Sequence, residues 1–318
     1  MRPLVSILIP CYNAARWLAA TLESALAQTW PHTEIIVVDD GSSDNSLMIA
    51  RSFTSRGVHV LTQPNRGAAA ARNAALAAAQ GELIQFLDAD DLLAPGKIAA
   101  QVEALTTAPA GSIASGPWGR FTLDPSSASF HPEPVWTDLT PLDWLVLSWS
   151  GGGMFPPLVW LTPRRIIDAA GPWNEDLSLD DDGEYFCRVL LQAATIRFVP
   201  GADSYYRDHS GPRVSASQGD RAARSSFLSI ELKDRHALVR EESPRMRRAL
   251  ASNYQRFAWE QLVDAPALAT LALARMQAHS PDLPPPDGPR LYRWVSRVLG
   301  WPRARRLQLI ARRAPRKL

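Results

Sequence analysis

Leu83-Ile84-Gln85-Phe86-Leu87-Asp88-Ala89-Asp90-Asp91 is an apolar run of β type that breaks off into three closely spaced carboxylates. Two earlier runs share its apolar character: Val5 to Pro10, and Glu34 to Asp39, which ends in Asp39-Asp40. Val58 to Thr62 supplies a fourth. Helical patterns fill the spaces between them. Ala14 to Gln28 sets Trp17, Leu18, Leu22, Ala25 and Leu26 at helical spacing ahead of Pro31. Ser42 or Ser43 is placed to cap a second helix running through Leu47, Ile49 and Phe53. Ala68 to Ala79 is alanine-dense and lies between Gly67 and Gly81, which suit helix ends. Strands alternating with helices predict a parallel sheet with crossover helices. Open sheets of this kind hold ligands at the carboxyl ends of their strands, so Asp39-Asp40 and the acids from Asp88 to Asp91 are expected to face one crevice.

Length and composition fit a globular chain. It has 318 residues, 46% of them hydrophobic and 21% charged, enough to bury a full core without disulfides. Cys11 and Cys187 lie far apart with no metal-ligand or redox spacing, which favours a reducing, cytoplasmic compartment. No secretion signal is expected at the amino terminus. The most apolar later stretch, Leu142 to Leu161, is broken by Asp143, Gly151-Gly152-Gly153 and Pro156-Pro157, so no transmembrane helix is expected. The net charge of +2 hides an asymmetry: residues 288–318 hold ten Arg and Lys and no acid, against 24 basic and 32 acidic residues elsewhere.

Beyond Thr107 the pattern loosens. Pro109 to Gly153 reads as irregular, Ile166 to Ala170 and Gly183 to Gln192 as helical, and Ile196 to Val199 as a strand. Helices are then expected over Arg221 to Glu241, Pro244 to Val263 and Ala265 to His279, and Pro281 to Pro289 as a linker.

The order of four pieces carries more than any one of them: Ile9-Pro10-Cys11-Tyr12-Asn13, then Val37-Val38-Asp39-Asp40-Gly41-Ser42-Ser43-Asp44, then Asn65-Arg66-Gly67 with Ala71-Arg72-Asn73, then Phe86-Leu87-Asp88-Ala89-Asp90-Asp91. Together they resemble the family-2 glycosyltransferases, over Val5 to roughly Ser215. The resemblance implies an α/β chain of GT-A type: a Rossmann-like mixed sheet flanked by helices, here with a C-terminal helical extension. It implies a nucleotide-sugar-binding half at residues 1–105 and an acceptor-binding half at 106–216, followed by helices at 217–280 and a Pro-rich linker and basic tail at 281–318. The activity implied is inverting transfer of a sugar from a nucleoside diphosphate, by family habit UDP, to an acceptor hydroxyl in surface polysaccharide or lipid-linked glycan synthesis.

Chemistry assigns roles within that frame. A strand-end carboxylate can accept the imide N–H of uracil or a ribose hydroxyl, and the family pattern puts this contact at Asp40, although a turn-and-cap role also fits. Pro10, Tyr12 and Asn13 would border the base, Tyr12 offering a stacking face. Arg72 sits on an apolar helix, where an unpaired cation is costly, so either the donor or an aspartate of the crevice must pair with it. Asp88-Ala89-Asp90 matches a D-x-D motif: Asp88 would reach ribose or a water while Asp90 meets a divalent cation, Mn²⁺ or Mg²⁺, which offsets charge on the leaving diphosphate. Asp91 would cap the helix after Pro95.

A second block, Gly171-Pro172-Trp173-Asn174-Glu175-Asp176-Leu177 with Asp181-Asp182-Gly183-Glu184-Tyr185 and Arg188, resembles the acceptor-side motif, with Asp-Asp where Glu-Asp is commoner. Inversion needs a carboxylate opposite the leaving group to take the acceptor proton, and Asp182 is the choice, Asp181 the second; helix capping is the alternative for both. Glu184 and Arg188 are spaced to pair on a helix surface. Trp136, Trp160 and Trp173 would stack on a sugar or pack in the core. Tyr205-Tyr206-Arg207-Asp208-His209-Ser210 resembles the family's late loop, implying Arg207 on phosphate and His209 on the metal.

The tail from Leu291 to Arg313 mixes arginines with Trp, Tyr and Leu at near-helical spacing, which suits an amphipathic helix on an anionic membrane surface. Nucleic acid is not expected as a partner, since nothing else in the chain supports it. The glycine-rich lysine loop of sugar-phosphate nucleotidyltransferases and the G-x-G-x-x-G of dinucleotide enzymes are both absent after the first strand. A non-catalytic glycan-binding or scaffolding protein on the same fold is the remaining alternative.

Overall fold

The computed structural model describes residues 2–208 and 219–313. In chain order the first half runs β1 (Val5–Cys11), α1 (Leu18–Leu26), β2 (Thr33–Asp39), α2 (Ser46–Ser52), β3 (Val58–Thr62), α3 (Ala68–Ala78), β4 (Leu83–Phe86), β5 (Leu92–Leu93) and α4 (Lys97–Thr107). Then come β6 (Ile113–Ser115), β7 (Trp118–Phe121), β8 (Ser129–Phe130), α5 (Pro141–Leu147), β9 (Thr162–Pro163), α6 (Arg164–Ala170), α7 (Asp181–Gln192), β10 (Ile196–Phe198) and β11 (Ser204–Arg207). The extension holds α8 (Asp220–Arg240), α9 (Pro244–Gln261), α10 (Pro266–His279), α11 (Arg290–Leu299) and α12 (Trp301–Arg313).

The main sheet has the order β3-β2-β1-β4-β9. Its first four strands are parallel, with Leu8 opposite Ile36 on one side and Phe86 on the other, and β9 closes the edge antiparallel to β4. Every residue of β1 is buried, as a central strand covered by helices on both faces requires. Pro10 is tolerated in this central strand because β1 outruns β4: the pairing to β4 stops at Leu8, and Pro10 faces only Val38. The carboxyl ends of β1, β2 and β4 therefore form one rim, which carries Asp39-Asp40 and Asp88 to Asp91, as expected from the sequence.

The stretch from Pro109 to Gly153 is more ordered than its composition suggests. It contributes β6, which pairs with β10, and β7 and β8 to a second sheet of order β5-β11-β7-β8. These strands are too short to show alternation, and their apolar side comes from aromatics: Trp118 packs edge-on to Tyr206, and Phe121 to Tyr205.

Several expected ends shift. The first helix starts at Leu18, not Ala14. Neither Ser42 nor Ser43 caps α2, whose cap position is Asn45; the Ser42 hydroxyl instead accepts the Asn13 N–H at 3.0 Å. Asp91 does not cap α4, which follows Gly96. The helix expected from Gly183 begins at Asp181.

One core joins the sheet to the extension, since Ala237, Met246, Ala249 and Leu250 of α8 and α9 belong to the same buried cluster as β1 and β4. Trp160 and Trp173, each 1% exposed, are core residues, and Trp136 stacks on Phe198. A second cluster around Tyr254, Phe257, Tyr292 and Trp301 seats the last helices. No helix among the described residues is long and apolar enough to cross a membrane.

Candidate active site

The rim is held together by carboxylates that grip backbone. Asp40, 2% exposed, accepts from Gln63 Nε2 at 2.7 Å, from the Arg66 N–H at 2.9 Å and from the Gly67 N–H at 2.8 Å. It thereby pins the loop that starts α3. Gly41, at φ 72°, permits this closeness, because a Cβ there would lie 2.9 Å from Asn65 N. Asn13, at φ 49°, serves the same end: its Oδ1 accepts from the Ser43 and Asp44 N–H groups at 2.8 and 3.3 Å, strapping the end of β1 to the loop after β2. Pro10 is buried in β1, whereas the Tyr12 ring stands 53% exposed on the rim.

Arg72 of α3 is the centre of the site. It is 6% exposed; one nitrogen donates to Asp181 Oδ2 at 2.7 Å and another to Asp88 Oδ1 at 2.8 Å, and its guanidinium lies 4.4 Å over the Trp173 ring. Burial opposes its charge, but Asp88 and Asp181 outweigh this and hold its pKa above the ordinary value. Two aspartates of the crevice, one of the two kinds of partner expected for it, pair with Arg72. Asn73 ties α3 to the acceptor-side motif by accepting from the Trp173 N–H at 2.8 Å and donating to Glu175 at 3.0 Å.

The turn Asp88-Ala89-Asp90 is fixed from three sides. Thr21 of α1 donates to Ala89 O at 2.9 Å, Arg72 holds Asp88, and Arg207 of β11 donates through Nε to Asp90 O at 2.6 Å. Arg207 lies between Trp17 and Phe121, within 4.4 Å of each ring, and gives a further bond to Thr122 O. Burial lowers its pKa. Its main-chain N–H reaches Asp91 Oδ1 at 2.8 Å. Asp91 is 1% exposed, and burial, reinforced by Asp90 and Asp88, pushes its carboxyl well above the usual range.

Asp88 and Asp90 remain partly open to solvent. They are hard oxygen donors, and a magnesium or manganese ion commonly takes one or two carboxylates while phosphate and water complete its shell. Asp90 suits such an ion, whereas one oxygen of Asp88 is held by Arg72. Asp91 does not suit it, being enclosed. Among the described residues no cluster of three or more His, Cys, Asp or Glu could hold a metal by itself. His209, with Ser210 and Arg213, lies outside the described residues.

Asp181 and Asp182 open α7, where the helix dipole favours negative charge. Asp181, 8% exposed, is committed to Arg72; desolvation raises its pKa and Arg72 opposes that. Asp182 is partly exposed beside it, and desolvation, with repulsion from Asp181 and Asp180, pushes its carboxyl up to about 7. Glu184 and Arg188 pair as spaced, at 2.7 Å, but in the interior: Glu184 is 2% exposed, and Arg188 also donates to Ala170 O and Pro172 O.

The sequence did not reveal what steadies this acidic turn. Asp180, at φ 59°, is gripped by α8: Lys233 Nζ lies 2.5 Å from its Oδ2 and Ser229 Oγ 2.7 Å. Ser225 Oγ accepts from the Ser178 and Leu179 N–H groups, and His236 Nε2 meets Glu184 at 3.2 Å. Ser225, Ser229, Lys233 and His236 share one face of α8 at intervals of four, four and three, a polar stripe on a buried side that is visible in the sequence once its partner is known.

The chain matches the family model described as Glycosyl transferase family 2 over residues 6–142. It is 30% identical over 241 residues to the Escherichia coli UDP-Glc:alpha-D-GlcNAc-diphosphoundecaprenol beta-1,3-glucosyltransferase WfaP, covering 74% of this chain and 90% of that protein. Among solved structures it resembles S. aureus TarS 1-349, with TM-score 0.66, 18% identity, and 87% and 81% of the two chains covered. The same protein in complex with UDP-GlcNAc gives TM-score 0.61 at 17% identity over 87% and 89% of the chains. The mannosyltransferase PcManGT from Pyrobaculum calidifontis, in complex with GDP-Man and Mn2+, matches with TM-score 0.56, 18% identity and 98% and 88% coverage. These likenesses, and the mixed sheet flanked by helices, make the fold GT-A.

Proposed function

Since the chain belongs to glycosyltransferase family 2, we propose that it is an inverting, metal-dependent transferase that moves a sugar from a UDP-sugar to a hydroxyl of a lipid-linked glycan at the cytoplasmic face of a membrane. Residues 1–105 are assigned to the donor and 106–216 to the acceptor. The relative WfaP, named for a UDP-sugar and a diphosphoundecaprenol acceptor, supports this choice of substrates. The observation that carries the reading is the Arg72 bridge, which draws a rim carboxylate, Asp88, and the acidic start of α7 to a single guanidinium.

In this reading Asp182 takes the proton from the attacking hydroxyl. It is better placed than Asp181, which is engaged by Arg72, and its raised pKa suits a base working near neutrality. Asp40, Asn13, Pro10 and Tyr12 form the nucleoside side, Asp40 also fixing the loop that begins α3. Asp88 is assigned to the ribose, and Asp90 with His209 would hold the cation; Arg207, 3% exposed and bonded to Asp90 O and Thr122 O, would serve the phosphate through the turn it holds. That cation, when bound, offsets charge on the departing diphosphate.

The test is UDP release from a panel of sugar nucleotides with Mn²⁺, with and without a lipid diphosphate acceptor. Asp90→Ala and Asp182→Asn are each expected to lower turnover by at least about a hundredfold. Unaltered turnover in Asp182→Asn would remove it as the base. Failure of every nucleotide either to turn over or to raise the melting temperature would favour a scaffolding protein.

A further inference from the structure

We propose that the outward faces of α11 and α12 form a preformed docking surface for an anionic phospholipid bilayer. At about 100° per residue, Trp294, Val298 and Leu291 fall within one narrow arc of α11, and Val295 and Tyr292 continue it to one side. The two sides have different fates. Tyr292 is 5% exposed and packs edge-on against Trp259, whereas Leu291 is 74% exposed and Trp294 and Val298 are each 66% exposed. α12 repeats the arrangement: Trp301 and Ala304 are buried against the second cluster, while Leu307 and Ile310 are more than half exposed.

Large apolar side chains held in water along a helix need an occupant, and charge selects it. Arg290, Arg293 and Arg297 are exposed and project on the flank of the α11 arc opposite Tyr292. Arg303 and Arg306 are exposed on α12. Residues 288–318 carry ten basic side chains and no acid, while the rest of the chain has 32 acids against 24 bases. An anionic surface would thus attract this end and repel the remainder, which orients the molecule. A nucleic acid would engage the arginines but gain nothing from Leu291, Val298, Leu307 and Ile310. A bilayer interface takes both the apolar arc and the charge beside it, with Trp294 at the headgroup level. The packing of Tyr292 and Trp301 fixes the face before contact, so no folding cost accompanies docking. This surface does not depend on which reaction the rim performs.

The test uses the full chain in sedimentation with vesicles of phosphatidylcholine alone or mixed with phosphatidylglycerol in roughly equal parts. Binding to the mixed vesicles is expected, weakening as salt rises, with little binding to the neutral ones. The exposed-site variants Leu291→Ser/Trp294→Ser/Val298→Ser and Arg290→Glu/Arg293→Glu/Arg297→Glu are each expected to reduce partitioning about tenfold or more while leaving the melting temperature and donor hydrolysis unchanged. Equal sedimentation of both variants and the parent chain would overturn the proposal. So would a lipid-free dimer that the serine variant dissolves, which would make the occupant a second copy. Duplex DNA or RNA binding that exceeds vesicle binding and survives the serine substitutions would overturn it in favour of nucleic acid.

Discussion

Lys233 Nζ and Asp180 Oδ2 lie 2.5 Å apart across 53 residues of chain, joining the helical extension to the residue immediately before the acidic pair. Lys233 is 5% exposed, so its charge has been taken out of water for this contact. Lys233→Met is expected to leave Asp180 without its cation, held by Ser229, and the turn displaced, lowering transfer by roughly tenfold to a hundredfold with the donor KM nearly unchanged. Lys233→Arg should recover part of the loss. Steady-state kinetics on the three proteins, with the folded fraction of each followed by circular dichroism, checks this, and a loss of turnover that only matches a loss of folded protein would point to general unfolding instead.

As the proposed base, Asp182 would give a pH dependence whose sign follows from that role. A base must be deprotonated, so kcat/KM is expected to rise through about pH 7 and level off above it. Stability should run the other way. With a folded pKa above the unfolded value, the native chain retains a proton that the unfolded chain has lost between roughly pH 4 and 7, so this group makes stability fall as pH rises through that window. Asp182→Asn should therefore melt higher than the parent at pH 8 while being inactive, which paired calorimetry and activity profiles would reveal.

Arg72→Ala strands two carboxylates that one guanidinium now serves. Breaking a buried pair from one side costs about 3–5 kcal/mol, and most of that is expected as a fall in denaturation free energy. Arg72→Lys presents a point charge instead of a fork, so it should restore contact with Asp88 or Asp181 but not both, and recover stability better than turnover.

Asp40 and Tyr12, both assigned to the nucleoside in the proposed reading, differ in how much each also holds the fold. Asp40→Ala removes three acceptor contacts to Gln63, Arg66 and Gly67 and should cost about 3 kcal/mol or more even without a nucleotide. Tyr12→Ala removes an exposed ring and should leave the melting temperature alone while raising the donor KM about tenfold. Thermal shift with and without UDP distinguishes the two effects.

The parallel strands and the acids after them are legible because a buried strand declares itself by a short, mainly apolar run, and Val5 to Pro10, Glu34 to Asp39 and Leu83 to Leu87 are all of that kind. The partners of those acids are not. Nothing local in Asp40 distinguishes a carboxylate that holds the Gly67 N–H from one that waits for a base. Nothing near Asp180 points to Lys233. The strands between Pro109 and Phe130 are not legible because two to four residues are too few for a period to appear, and the partners of β6 and β7, Ile196–Phe198 and Ser204–Arg207, lie far away in sequence. Ser42 and Ser43 do not cap because Asn13, a residue from another strand end, donates its N–H to the Ser42 hydroxyl and accepts from the N–H and hydroxyl of Ser43.

The sharing of one core by β1, β4, α8 and α9 makes the C-terminal helices an inseparable part of the catalytic body. Calorimetry should record a single transition instead of two. A chain cut after residue 216 would expose the bare flank of Asp180 and the undersides of α5 and α7 together, and would be expected to melt as a loosely packed remnant. Shortening this protein to its most recognisable segment would therefore discard the clamp that keeps its acidic turn in shape.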